Sequence, residues 1–230
     1  YQLWMLSRGT GRLQITLRRF RLDFQVMLRL IKVSIGGIMQ FLIETSSWIF
    51  LVWIIGRFGS AAVAGYTIAV RVIVFTILPS WGLANSAATL MGQNLGAGKP
   101  DRAETSVWRA AVYNMVFLVT VAVVFITFAE PVIRVFTTDD DVVRYGVSCL
   151  RWVSYGDGFF AYGMVMVQAF NGAGDTTTPT IINFFCFWTL QIPMAYFLAL
   201  KTGLGVTGVF ISMTVAESLM AVVGIIVFRR

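Results

Sequence analysis

Apolar residues run almost unbroken for about twenty positions at a time, six times along the chain, with short polar clusters between. The runs are Ile35–Ile55, Ala61–Met91, Ala110–Phe128, Val142–Phe170, Thr180–Leu200 and Val206–Phe228. The first holds 21 residues, which as a helix reach ~31 Å, close to the hydrocarbon thickness of a bilayer. A β-strand would cross in half that number. Helices satisfy their own backbone groups and so tolerate lipid. The pattern therefore predicts an all-α integral membrane protein. Breakers fall where connectors are needed, in "GRFGS" at Gly56–Ser60, "NGAGDTTTP" at Asn171–Pro179 and "KTGLG" at Lys201–Gly205. Pro79 and Pro193 lie inside runs and are candidate hinges.

Composition strengthens this picture. Hydrophobic residues make up 57% of the 230 and charged residues 13%, against about 25% charged in soluble domains. The net charge of +7 does not point to nucleic acid, because the basic residues cluster in connectors. With the N-terminal segment in the cytoplasm, twelve Lys and Arg residues fall on that side and four on the other. This bias predicts both ends of the chain in the cytoplasm. There is no histidine, and the two cysteines, Cys149 and Cys186, sit inside apolar runs. Neither a disulfide framework nor a zinc site follows.

"GQNLGAGKPDRA", Gly92–Ala103, has the glycines of a phosphate loop but not its spacing. A P-loop needs Gly where Gln93 stands and Ser or Thr where Pro100 stands. No nucleotide is expected, and the stretch reads as a tight connector. "RRFRLDFQVMLRLIK", residues 18–32, places Phe20, Phe24, Met27, Leu28 and Ile31 on one helical face beside five basic residues. It predicts an amphipathic segment on an anionic leaflet. The chain opens at Tyr1 without Met or a signal-like segment, and is expected to be part of a longer protein.

Ionisable residues inside a span are costly, on the order of 3 kcal/mol, and mark candidate functional sites. They are Glu44, Arg71, Arg151, Asp157 and Glu217. Glu44 is mid-span, with Gln40 one turn before it on the same face. Asp157 shares a face with Gln168, three turns on. Glu44 and Asp157 are the expected cation-coupling or substrate residues, with Gln40 and Gln168 beside them. Both acids would serve as metal ligands only if the coupling ion is Na⁺. Glu217 is expected to have a structural partner, and Arg71 and Arg151 to pair with the acids or snorkel. Asn85, Thr89 and Met164 are weaker candidates for lining a cavity. No Ser or Cys has a recognisable base, and an aspartyl mechanism would need Glu44 and Asp157 adjacent. An enzyme is not expected.

The order and spacing of "GQNLGAGKPDRA", "NGAGDTTTPT" and "IPMAYFLALKTGLGVTGVFISM" over Gly36–Arg230 resemble the multidrug and toxic compound extrusion (MATE) transporters. The resemblance implies one six-helix lobe of a twelve-helix fold, the second lobe, spanning residues 35–230. Residues 1–34 would be the end of the preceding helix and a basic inter-lobe connector. The missing N-terminal lobe of the same polypeptide would complete a central cavity. The family exports organic, often cationic, compounds in exchange for H⁺ or Na⁺, without a cofactor. An acidic residue on the seventh helix, which Glu44 matches, commonly has a role there. Asp157 falls about one turn from the acidic position of some members' tenth helix. A bacterial inner membrane location is expected. The alternative is a flippase for lipids or lipid-linked saccharides of related architecture, which would need several cationic side chains in its cavity.

Overall fold

The computed structural model describes residues 23–229. The chain divides into two compact units, Tyr1–Ile35 and Gly36–Arg230. Of the first unit, residues 23–35 are described and are helical from Phe24 onward. Tyr1–Leu6 and the first part of the basic segment, residues 18–22, lie outside the described residues. The second unit is all-helical among the described residues. Helix α1 covers Phe24–Gly56, α2 Ser60–Gly96, α3 Pro100–Arg134 and α4 Asp140–Gly172. A single rod follows, made of α5 (Thr177–Asn183), a π-helical stretch (Phe184–Gln191) and α6 (Ile192–Leu200). Helix α7, Val206–Phe228, ends the fold.

The connectors owe their tightness to local chemistry. Gly98 turns the chain with φ +68°, a region L side chains avoid, and Pro100 opens α3 at its first turn. Asp139 caps α4 by accepting from the backbone N–H groups of Asp141 and Val142. Helix α3 extends past its apolar run on both sides, and its backbone leaves the helical region at Phe128 (φ −110°, ψ 24°). Pro131 cannot donate to Thr127, which accounts for the break. Similarly, Pro193 cannot donate to Thr189. The backbone before it widens into the π stretch, where the Ile192 N–H reaches Phe187 O, five residues back. Helix α2 carries Pro79 within one continuous helix.

Helix α4 is the centre of the fold. It packs against α2, α3 and α7. Among the described residues, five helical stretches are long and apolar enough to cross a membrane: α1, α2, α3, Thr177–Leu200 and α7. Helix α4 is the less apolar remaining one, consistent with neighbours on three sides. Small residues permit those contacts. A Cβ on Gly65 of α2 would lie 2.6 Å from Val142 O and 2.8 Å from Gly146 N. At the other end, a Cβ on Gly172 would lie 2.7 Å from Ala88 Cα. The pairs Gly65/Gly146 and Ala88/Gly172 follow the same order in both helices, so α2 and α4 run parallel, backbone to backbone. On the α7 side, Gly156 meets Thr214 and Gly163 meets Ala221. Ser80, Asn114 and the Ala161 carbonyl tie α2, α3 and α4 together through bonds of 2.7 and 3.1 Å. Such polar ties and small-residue seams hold helices in lipid, where apolar burial supplies little drive.

Leu51, Ile54, Tyr66, Leu150 and Phe210 are buried in the main core. Phe41, Ile49, Trp53, Phe75, Tyr113 and Val123 are exposed, an apolar exterior that suits lipid rather than water.

Gly65→Val is expected to destabilise the bundle by about 1–3 kcal/mol through overpacking against rigid backbone. A Cβ added at Gly82 would meet nothing within 4 Å, so Gly82→Ala should change stability by no more than ~1 kcal/mol. Reversible unfolding in mixed micelles measures both.

Candidate functional site

Polar contacts one turn to either side of Glu44 fix the rotation of α1. Below it, Gln40 and Asn171 exchange side-chain hydrogen bonds of 3.1 and 3.3 Å, and Gln40 Nε2 also donates to Thr176 O at 3.2 Å. Above it, Ser47 Oγ donates to Gln191 Oε1 at 2.8 Å, with both residues buried. Trp188 Nε1 donates to the Ile43 carbonyl at 3.2 Å. These contacts bind α1 to the end of α4 and to the π stretch. Glu44 is thereby turned inward.

Three adjoining spaces have Glu44 in their walls. The first, about 190 Å³, is lined by Gln40, Met164, Gln168, Asn183 and Phe187 among others. The second, about 290 Å³, is more aromatic, with Trp48, Trp81 and Phe160 beside Thr45. The third is a narrow neck of about 40 Å³, room for one water or a small ion. It brings Glu44 together with Asp157 of α4 and Glu217 of α7, walled by Ile73, Val153, Phe187 and Met213. Asp157 is only 5% exposed. Glu217 Oε2 is buried and has no hydrogen-bond partner, as is true of Tyr66 Oη and Ser154 Oγ. Glu217 lies within electrostatic reach of both other acids and of Tyr66.

Among the described residues, no lysine or arginine lines these three spaces. Two ionised carboxylates 6 Å apart repel by ~3 kcal/mol at an effective dielectric of about 20. Acids ionised together in the neck would repel one another, and no Lys or Arg of the described walls offsets that. Among the described residues, no group of three or more Cys, Asp or Glu is gathered closely enough to hold a metal by itself. A cation in the neck would draw further ligands from hydroxyls, carbonyls or water.

The structure brings Gln40, Glu44, Met164 and Gln168 to one space, while Asp157 sits in the neck beside it. Asn85 and Thr89 lie on an exposed stretch of α2 and line none of these three spaces. Of the two expectations for Arg71 and Arg151, pairing with the mid-span acids is not found among the described residues. Ion pairs among the described residues join Arg134 to Glu130 and Asp140, and Arg144 to Asp141. Arg71 is exposed, and Arg151 points to the Ile126 carbonyl. Glu217 was visible as a mid-span acid, but its convergence with Glu44 and Asp157 arises only when α1, α4 and α7 pack. Tyr66 and Ser154 carry no sequence signal beyond their apolar surroundings.

The MatE family profile matches residues 37–197. The chain belongs to the MatE family. A probable multidrug resistance protein NorM from Thermotoga maritima is 29% identical over 155 residues, 67% of this chain and 33% of that protein. A NorM from Pseudomonas aeruginosa is 26% identical over 215 residues, covering 91% and 42%. The chain thus spans a third to a half of the length of such curated relatives. A solved MATE in the bent conformation superposes with TM-score 0.90 at 24% identity, covering 98% of this chain and 50% of that one. A MOP superfamily transporter from Pyrococcus furiosus gives 0.91 at 23%, covering 98% and 51%. These likenesses show the fold. Apolar helices and family together make this MatE chain an integral membrane protein.

In this MatE chain the "NGAGDTTTP" loop supports the site from below. Asp175 Oδ1 accepts from the N–H groups of Thr177 and Thr178 at 3.1 and 3.0 Å, starting α5. Hydrogen bonds from Thr178 hold the Asp175 carboxyl below its ordinary range. A depressed folded value means stability that is full above the unfolded pKa of ~3.9 and is lost as pH falls through the lower folded one. Asp175→Ala is expected to cost about 1 kcal/mol at neutral pH. It should also flatten the acid limb of a stability-against-pH curve measured below pH 4.

Proposed function

We propose that the full-length protein is an H⁺- or Na⁺-coupled antiporter that exports organic, often cationic, compounds by alternating access. This chain supplies its C-terminal lobe, residues 35–230, and a preceding N-terminal lobe supplies the other half of the cavity. Residues 1–34 are the end of the lobe before and the connector. The reading rests above all on three carboxylates facing one apolar neck with no basic side chain in the described walls. Repulsion among them is relieved by a proton, a Na⁺ or a cationic substrate, one at the expense of another. That competition is the basis of exchange, because a ligand shifts a conformational equilibrium only through differential affinity.

In this reading Glu44 is the shared coupling and substrate residue, since it borders all three spaces. Asp157 is the deeper ion-loading residue. If Na⁺ is the coupling ion, these two are its carboxylate ligands. Gln40, Gln168 and Met164 form an adaptable wall for a flat cation. Asn85 and Thr89 would face the completed cavity from α2, and Pro79 and Pro193 would act as hinges. The absence of arginine and lysine from the described walls disfavours the flippase reading, which needs phosphate-binding cations. The protein is placed in a bacterial inner membrane, with both ends of this chain in the cytoplasm, as its Lys and Arg bias favours.

Glu44→Gln in the full-length protein, reconstituted into liposomes, is expected to lower gradient-driven efflux of a fluorescent organic cation at least tenfold. Glu217→Gln should also impair efflux, but less. Imposing ΔpH and a Na⁺ gradient separately identifies the coupling ion. Wild-type efflux rates in Glu44→Gln under the same gradient would remove the mechanism.

A further inference from the structure

At the opposite end of the bundle from the Gly98 turn, a separate space of about 560 Å³ opens beside the start of α4. Its wall carries Arg144, Ser148 and Arg151. At spacings of four and three residues they share one face of α4. Trp152 and Tyr155 flank them edge to face, with ring centroids 5.7 Å apart, the amphipathic pair that membrane–water interfaces favour. Glu130 and Asp140 also border the space, but Arg134 binds both, at 2.9 and 3.0 Å. Arg144 engages Asp141 at 3.1 Å, and both side chains are largely exposed. Arg151 is in no ion pair among the described residues. Its Nε donates only to the Ile126 carbonyl, at 3.3 Å.

Next to this polar space lies an almost wholly apolar groove of about 500 Å³ between α3 and α4. Val119, Val123, Ile126 and Phe159 line it, and Tyr155 borders both spaces. Val123 and Phe159 are more than half exposed. Arg151 therefore stands at a junction. On one side is a polar recess with a guanidinium whose fork is largely unused, and on the other a groove shaped for hydrocarbon.

We propose that this junction is a binding site for a membrane phospholipid, its phosphate on Arg151 and Ser148 and one acyl chain along Val119, Val123 and Phe159. A guanidinium offers a planar donor fork that matches phosphate oxygens. Arg144 adds a second cation on the same face. The occupant comes from the surrounding bilayer, because the charge calls for phosphate and the groove calls for a chain attached to it. The site is separate from the carboxylate neck and does not depend on the transport reading.

The test uses the full-length protein, extracted from liposomes of phosphatidylglycerol and phosphatidylethanolamine into mild detergent, with retained lipid counted by native mass spectrometry. Wild type is expected to retain phospholipid and not chain-matched diacylglycerol. Arg151→Gln should retain at least fivefold less, with unchanged helicity and elution volume. Val123→Trp, which fills the groove from an exposed position, should lose the lipid as well. Equal retention by Arg151→Gln, or by Val123→Trp, overturns the proposal. So does equal retention of diacylglycerol. Full displacement of the lipid by millimolar inorganic phosphate would make it a free-anion site and also refute it.

Discussion

The close parallel approach of α2 and α4 is the constraint on which the other contacts depend. Backbone meets backbone at Gly65/Gly146 and again at Ala88/Gly172, which fixes the two helices along nearly their whole length. Side chains between those points have no freedom to slide. Ser80 therefore meets Asn114, and Asn114 meets the Ala161 carbonyl. The second seam of α4, through Gly156 and Gly163, sets α7 at a similar distance. Glu217 is carried to the neck by that seam, and Asp157 is carried there by α4 itself. In a bilayer this order matters more than in water, since apolar side chains gain little by leaving lipid for protein.

Helix α1 packs into the core at Leu51 and Ile54, but around Glu44 it is attached by other means. It relies on the Gln40–Asn171 exchange, the Ser47–Gln191 bond and the Trp188 indole. The stretch of α1 around Glu44 is thus held largely through side-chain hydrogen bonds, while the helices bearing Asp157 and Glu217 meet their neighbours at glycine seams. A few hydrogen bonds can exchange partners at modest cost, whereas glycine contacts cannot. The acid at the junction of the three spaces is consequently the one on the more easily rearranged support.

Much of the fold was legible in the sequence, because a helix that meets lipid must be apolar for about twenty residues. Helix α4 was legible as one more apolar run, Val142–Phe170, but its glycine contacts with α2 and α7 join residues far apart in sequence and were not. Glu44, Gln40 and Gln168 could be singled out from depth and helical spacing. The meeting of Gln40 with Asn171 could not, since it joins residues 131 positions apart. For the arginines the sequence left pairing and snorkelling open, and the fold decides for a physical reason. Mid-run position suggested depth, yet a long side chain on the outer face of α4 reaches a carbonyl of α3 instead of a buried acid. Pro193 signalled an irregularity, but not that the chain would absorb it by widening the preceding turns.

That widening splits one rod into two angular phases. A π turn takes in an extra residue, so whatever follows is offset by roughly 100° from an uninterrupted α-helix. Ala195 and Ala199 are buried on the far side of it. Straightening these turns with the residue count unchanged would swing both alanines away from α7, whereas deleting one residue between Phe184 and Gln191 would let a plain α-helix keep them in place. The extra residue is thus what keeps the two halves of the rod in register with their neighbours.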